Sequence, residues 1–502
     1  MNNTSKEVMI MHYTSTRDSS LQYSATHAIE QGLSRDGGLF LPESLPQLPD
    51  LQTLSTLSYQ QRAVKIMKLF LDEFSEEELL DYAARAYGPE KFDCEAVAPV
   101  VPLQNGTDIL ELWHGPTCAF KDMALQMLPY LLTASMKKNG EDKTVCILVA
   151  TSGDTGKAAL EGFCDVDHTK ILVFYPKDGV SDIQQLQMVT QAGENVGVCA
   201  VVGNFDDAQT GVKKIFSDEA FREELLQKGY VLSSANSINW GRVLPQIVYY
   251  ISAYCDLVKQ GRIENGQSVN FCVPTGNFGN ILACYYAKKM GLPVNKLICA
   301  SNANNVLTDF LHNGTYDRNR PFYTTASPSM DILISSNLER LLYDLTGSDV
   351  QVRGYMQSLN ETGRYTVSEQ VLAKIKENFV SGFCDDERTL HTIEDVFRNC
   401  GYLMDTHTAV AYTVLRDYQM QTGDQTPSVV VSTASPYKFC DSVLTALGEK
   451  DLKPGTQILQ QLEKASGTSA PKPLAALAGK AVRFTQVTEK ENMTCVVSEM
   501  LR

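Results

Sequence analysis

No run of roughly 18 apolar residues occurs in this 502-residue chain, so no membrane span is expected. The opening stretch MNNTSKEVMIMHYTSTRD has no apolar core and no arginine-rich amphipathic pattern, so no secretory or transit signal is expected from it. None of the 13 cysteines forms a CxxC pair. Their odd number and scatter predict reduced thiols in a cytoplasmic protein, and no metal site is expected. Walker and GxGxxG fingerprints are missing, which argues against a nucleotide-binding α/β protein. There is no short-period repeat and no long low-complexity tract. Positive charge is in deficit: 44 basic against 59 acidic residues leave −15, with a pI near 5.0. That balance disfavours nucleic acid and anionic membrane as partners, although a local pocket can still be positive toward a small anion.

What is present is ordinary globular composition, 43% hydrophobic and 21% charged. Residues 1–95 read as a mostly helical N-terminal unit. An extended stretch over 9–15 opens it, and Asp36-Gly37-Gly38 marks a turn. A helical pattern covers 59–87, with Ser75 and Glu78 at capping-box spacing. From about residue 144, apolar runs of strand length alternate with amphipathic stretches. Strands are predicted over 145–150, 171–175, 196–202, 230–233, 269–274, 296–300 and 428–433. Helices are predicted from 157 and over 181–192, 206–228, 243–260, 280–290 and 438–447, and 350–425 reads as largely helical. Continuous apolar strands alternating with helices imply an α/β protein with parallel sheets.

Three segments carry chemistry. In Trp113-His114-Gly115-Pro116-Thr117-Cys118-Ala119-Phe120-Lys121-Asp122, Lys121 stands at a predicted helix entrance behind an aromatic residue. Held out of water there, its amine would lose proton affinity and attack carbonyls. His114 alone reads more simply as a packing residue than as a base. The second segment, Thr151-Ser152-Gly153-Asp154-Thr155-Gly156-Lys157, lies between a predicted strand and helix. It is a capping turn or an anion site. The third, Thr275-Gly276-Asn277-Phe278-Gly279-Asn280, sits likewise between strand and helix, and its two glycines let backbone approach a phosphate. One amine nucleophile and two anion-binding helix starts fit an aldehyde cofactor bearing a phosphate, pyridoxal phosphate.

The chain is similar to the threonine synthases, pyridoxal-phosphate enzymes of the tryptophan-synthase-β-like family (fold type II), in their longer bacterial and fungal branch. The matching pieces are 33–40, 114–122, 151–156, 234–239, 276–280 and 433–439, in family order across nearly the whole chain. The resemblance implies two doubly wound α/β domains plus a mostly helical N-terminal domain. The expected boundaries are 1–95 for the N-terminal domain, 96–142 with 236–502 for the large cofactor-binding domain, and 143–235 for the small one.

By resemblance, Lys121 is the Schiff-base lysine and shuttles protons. Gly276, Asn277, Phe278, Gly279 and Asn280 cradle the cofactor phosphate, and the Thr433 hydroxyl faces the pyridine nitrogen. Ser152, Asp154 and Thr155 line the substrate side. Asp154 stands where related fold type II enzymes often have Asn, so its part is expected to be indirect. For the substrate phosphate the candidate cations are Lys157, Lys213 and Arg242, with Arg242 preferred at a helix start just after Asn236–Asn239.

The implied reaction takes O-phospho-L-homoserine and water to L-threonine and phosphate, by γ-elimination and addition of water at Cβ. The alternatives are a phospho-lyase releasing 2-oxobutyrate and phosphate, or a non-catalytic protein that binds pyridoxal phosphate. The expected partner is the small-molecule substrate, with the chain a monomer or a homodimer.

Overall fold

The structure is a computed structural model that describes residues 11–103, 106–151 and 153–501, and only the backbone of Asp206. Residues 9 and 10 of the expected extended stretch lie outside it. Two sheets organise the molecule. The larger has six strands in the order Phe379–Phe383, Val294–Ser301, Val269–Pro274, Ser428–Ser432, Thr107–Glu111, Val100–Pro102. All its pairs are parallel except the last. Val269–Pro274, Ser428–Ser432 and Thr107–Glu111 are buried along their whole length, which is why they read as continuous rather than alternating patterns.

The smaller sheet is wholly parallel, with Thr144–Ala150 between Thr169–Pro176 and Tyr230–Ser233, and Val196–Val202 beyond Thr169–Pro176. Its fifth strand comes from the far end of the chain. Val487–Glu489 pairs parallel with Ala200–Val202. The helix Met493–Met500 buries Met493, Val496 and Val497 in a cluster with Ala208, Val212 and Ile215. This corrects the expected division, in which everything after residue 236 belonged with the larger sheet. A three-residue strand shows no periodicity to announce it; its place is set by the open edge of Val196–Val202.

Two expected long helices are interrupted. The 206–228 pattern divides into Phe205–Ser217 and Glu219–Gln227 at Asp218, whose side chain accepts from the Phe221 amide and starts the second helix. The 59–87 pattern divides into Tyr59–Met67 and Glu76–Ala86, and Ser75 and Glu78 form the expected reciprocal capping box. The N-terminal region also contains a three-stranded antiparallel sheet (Tyr13–Ser15, Asp18–Tyr23, Phe40–Pro42).

The helix Trp240–Lys259 is the central pillar, apolar almost all round. Trp240, fully buried at its start, meets Tyr13 edge-on at 5.6 Å and packs against Phe70 and Tyr286, which fastens the N-terminal region to the larger sheet's helices. Among the described residues no helix is long and apolar enough to cross a membrane.

The helix after Lys121, Asp122–Leu125, packs on the helix Asp154–Phe163 of the smaller sheet. Gly162 makes that approach possible: a Cβ there would stand 2.0 Å from the Leu125 carbonyl oxygen. Gly162→Ala is therefore expected to destabilise the protein by about 1–3 kcal/mol through overpacking, measured by urea unfolding. An unchanged midpoint would mean that the two helices separate freely.

Candidate active site

Each of the three singled-out segments leaves the carboxyl end of a parallel strand, where open α/β sheets bind ligands. The first follows Thr107–Glu111, the second Thr144–Ala150 and the third Val269–Pro274. Thr433 follows Ser428–Ser432, which lies between two of these strands. Backbone pairing joins the first segment to this strand end: the Phe120 amide donates to the Thr433 carbonyl at 2.8 Å, and the Ser435 amide to the Cys118 carbonyl at 3.0 Å. Lys121 and Thr433 are thus held side by side although 312 positions separate them in the sequence.

Lys121 is largely enclosed, its side chain 11% exposed, with the ammonium 4.9 Å over the Phe120 ring and 3.9 Å from Asp154 Oδ2. Loss of hydration pulls its pKa down to about 8; Asp154 opposes this, while Arg242 and Lys438 add to it. Its neighbour Asp122 accepts from the Thr117 amide at 2.8 Å and the Thr117 hydroxyl at 2.7 Å, and burial pushes it up to about 6. The turn between them is strained. Cys118 has φ 58°, a left-handed conformation that a side chain rarely adopts.

The third segment is strained in the same way. Phe278, with φ 63°, caps the helix Gly279–Lys289 and is buried against Phe379. The carbonyls of Gly276 and Asn277 are both hydrogen-bonded by residues 335–337. Ser335 Oγ donates to the first at 2.8 Å, and the Asn337 amide and side chain to the second at 3.1 Å. The first amides of the helix Gly279–Lys289 have no intrahelical acceptors. Gly276 has no room for a side chain, since a Cβ would lie 2.7 Å from the Ser329 carbonyl oxygen. Asn280 is buried, and its Oδ1 accepts from Tyr249 and Tyr250, at 2.6 Å from the latter. Its Nδ2 has no protein partner among the described residues. A free amide donor beside a row of helix-start amides suits a phosphate, so the residues present fit a phosphorylated cofactor.

The second segment is partly self-satisfied. Thr151 Oγ1 accepts from the Gly153 amide at 3.0 Å and the Gly156 amide at 2.9 Å. Ser152 lies outside the described residues. Thr155 is half-buried in the first turn of the helix. Asp154 is buried, with Oδ1 accepting from Gln184 Nε2 and Lys438 Nζ, both at 2.9 Å. Ser329 Oγ reaches its Oδ2 at 3.4 Å. Burial alone would raise this carboxyl, but the ammoniums of Lys438 and Lys121 outweigh it and hold Asp154 well below the usual carboxylate range.

Of the three candidate cations, one is free for an anion inside the site. Arg242 is buried in the first turn of Trp240–Lys259 and donates to the Ala235 carbonyl at 2.9 Å; its Nε has no partner among the described residues. Burial lowers its pKa to about 10. Lys157 is buried but already bound to Glu161 at 2.9 Å and to Gln191. Lys213 is exposed on Phe205–Ser217, beside Gln209.

The sequence reading missed Lys438, although it lies within the 433–439 match: a lone lysine among apolar neighbours after a strand was the available signal. It also missed Ser329, Ser335 and Asn337, which stand in a stretch without periodicity. His407 donates from Nδ1 to Asp405 at 2.8 Å and accepts the Ser329 amide at Nε2, which holds this stretch against the site.

His114 is clamped rather than poised. Nδ1 lies 2.7 Å from Asp93 and Nε2 2.9 Å from Glu111, with Trp113 stacked on the ring. Burial would lower its pKa, but the two carboxylates overcome that and raise it from 6.5 to about 9. A raised histidine stabilises the fold fully below its unfolded value of about 6.5, and this is lost as pH rises through about 9. His114→Asn should cost about 2–3 kcal/mol at pH 6 and far less at pH 10, read by urea unfolding at the two pH values. Equal losses at both would show an uncharged ring.

Comparison with known proteins agrees with this geometry. Three family models match: threonine synthase N terminus over 12–87, pyridoxal-phosphate dependent enzyme over 95–435, and threonine synthase C-terminal over 408–496. Threonine synthase-like 1 of Homo sapiens is 41% identical over 440 residues, covering 85% of this chain and 58% of its own. The chain therefore spans about three-fifths of that relative's length. Threonine synthase of Pseudomonas aeruginosa is 40% identical, covering 86% of this chain and 90% of its own. The crystal structure of pyridoxal-phosphate-bound threonine synthase from Brucella melitensis superposes with a TM-score of 0.87 at 38% identity, over 98% of this chain and all of that one. With the middle model alone covering more than half of its length, and relatives about 40% identical over most of both chains, the chain belongs to the threonine synthase family of fold type II pyridoxal-phosphate-dependent enzymes.

Proposed function

We propose that this chain is a threonine synthase, a carbon–oxygen lyase that converts O-phospho-L-homoserine and water into L-threonine and phosphate with pyridoxal phosphate as cofactor. The observation that carries the reading is the company Lys121 keeps. Its amine, which loss of hydration pulls down to about 8, is tied through Phe120 to Thr433. Beside them a buried arginine has an Nε without a partner among the described residues. An amine that gives up its proton readily and a buried cation with a donor to spare, in one place, suit an aldehyde cofactor and an anionic substrate.

Pyridoxal phosphate, when bound, supplies an aldehyde for amines and a ring that withdraws electrons from the bonds at the substrate's Cα. The chain's own residues do the rest. Gly276 to Asn280 hold the cofactor phosphate with helix-start amides and the Asn280 side chain. Thr433 offers the pyridine nitrogen a hydroxyl, which does not enforce protonation there as a carboxylate would. Lys121 would hold the cofactor through its amine. The same amine would take and return protons at the substrate's Cα and Cβ. Arg242 holds the substrate phosphate and stabilises it as it leaves Cγ. Ser152 and Thr155 add hydroxyls on the same side. Asp154 acts indirectly, through the charges around it. The 13 thiols are all free, which supports a reducing compartment, and we take the cytoplasm as its location.

The purified full chain, supplied with pyridoxal phosphate and O-phosphohomoserine, is expected to yield L-threonine and phosphate in equal amounts by NMR. Lys121→Ala should lose both products. Release of 2-oxobutyrate with phosphate would instead make it a phospho-lyase using the same residues up to departure of the phosphate. Cofactor binding without turnover would leave a binding protein. Arg242→Gln is expected to raise KM for the phosphorylated substrate by about 10- to 100-fold, the worth of a hydrogen-bonded charge. An unchanged KM would take the substrate phosphate away from Arg242.

A further inference from the structure

Lys438 is the one wholly buried lysine that the proposed reaction leaves without a part among the described residues of this site. It lies in the turn after Ser428–Ser432, with its side chain fully enclosed. An ammonium has three hydrogens to donate, and three acceptors stand at 2.9 Å: Asp154 Oδ1, the Thr117 carbonyl and Gln187 Oε1. Lys438 is therefore saturated by the protein and has no hydrogen left for a ligand. Asp154 is divided. Its Oδ1 is taken by Lys438 and Gln184, while its Oδ2 faces Lys121 at 3.9 Å, beyond hydrogen-bond distance.

The charged groups that face Lys121 are Asp154 on Asp154–Phe163, Arg242 on Trp240–Lys259, Lys438 after the strand, and Asp122 on its own helix. Lys438 also faces Asp122 and the buried Cys118 thiol. Asp154 and Lys438 together form a neutral buried pair. Lys121 and Arg242 are then the surplus cations. Of the two, only an amine gives up its proton readily, since a guanidinium stays protonated. Charge that burial does not compensate leaves as a proton where it can.

We propose that Lys438 is a positioning residue for the reaction at Lys121: by drawing the Asp154 carboxylate into a closed pair, it weakens Asp154 as a counter-ion for Lys121 and lets that amine give up its proton more readily. This rests on the reading of Lys121 as the amine that bonds the cofactor. With Lys438 absent, Asp154 would turn to Lys121 as its only ammonium and hold it protonated. With Asp154 made neutral, two buried ammoniums would face each other and Lys121 would lose its proton more easily still. With both changes made, a neutral pair replaces a neutral pair.

The test strips the full-length protein of cofactor, adds pyridoxal phosphate, and follows the rate at which the visible band of the lysine-bound cofactor appears from pH 6 to 10. That rate follows the neutral fraction of Lys121. The wild-type midpoint is expected near 8. Lys438→Met should shift it up by about one unit, roughly tenfold slower binding at pH 7. Asp154→Asn should shift it down, and the double variant should return to the wild-type midpoint. A purely structural role for Lys438 would lower thermal stability without moving the midpoint, and that result overturns the proposal. Were Lys438→Met alone unable to fold, Asp154→Asn against the double variant makes the same comparison, and equal midpoints overturn it. Lys121→Ala runs beside them: if it still forms the band, the assignment of Lys121 fails; if it does not, the Lys438 result stands on its own.

Discussion

Asp154 is taken out of water where the first turn of Asp154–Phe163 meets the Lys121 turn, and a buried carboxylate is costly unless cations and hydrogen bonds compensate it. Much of the site is arranged around that compensation. Lys438 reaches it from the turn after Ser428–Ser432, Gln184 from Asp182–Val189, and Ser329 from the stretch that also closes over Gly276. One carboxylate thus ties both sheets and the Gly276–Asn280 turn. It does so without a hydrogen bond to Lys121, whose ammonium lies 3.9 Å from it.

The same economy of partners extends outward. Arg340 is buried, and its guanidinium donates to the Phe40 carbonyl at 2.8 Å, to Asn337 and to the Ile238 carbonyl. Through it the N-terminal sheet, the loop under the phosphate cradle and the segment leading into Arg242 are held as one unit. Asn337 completes the link by donating to the Asn277 carbonyl. Breaking a buried arginine's bonds leaves both donors and carbonyls unpaired. This ties the N-terminal region to the site although it contributes no reacting group.

The elements that read most clearly were those whose signal is local. Val196–Val202, Tyr230–Ser233 and Val269–Pro274 lie where continuous apolar runs placed them, and the Ser75 capping box formed as spaced. The segments rich in Gly, Asn and Thr at 151–156 and 275–280 are strand-to-helix turns as read, because a backbone that must turn sharply needs those residues. The elements that escaped depend on distant partners. Val487–Glu489 is a strand only because Val196–Val202 offers an edge. Lys157 read as a candidate for substrate phosphate, yet Glu161 one turn on already neutralises it.

Residue types and their order were enough to indicate an α/β chain with parallel sheets, a lysine at a helix entrance and two strand-to-helix turns, since each follows from hydrophobic period or turn chemistry within a few residues. Folding had to bring Thr433 beside Lys121, leave Arg242 with an unpartnered Nε while Lys157 was paired, and enclose Lys438 with Asp154. Those outcomes hinge on which charges meet once water is excluded. Electrostatic strength varies with distance and local dielectric, neither of which is written in spacing along a chain.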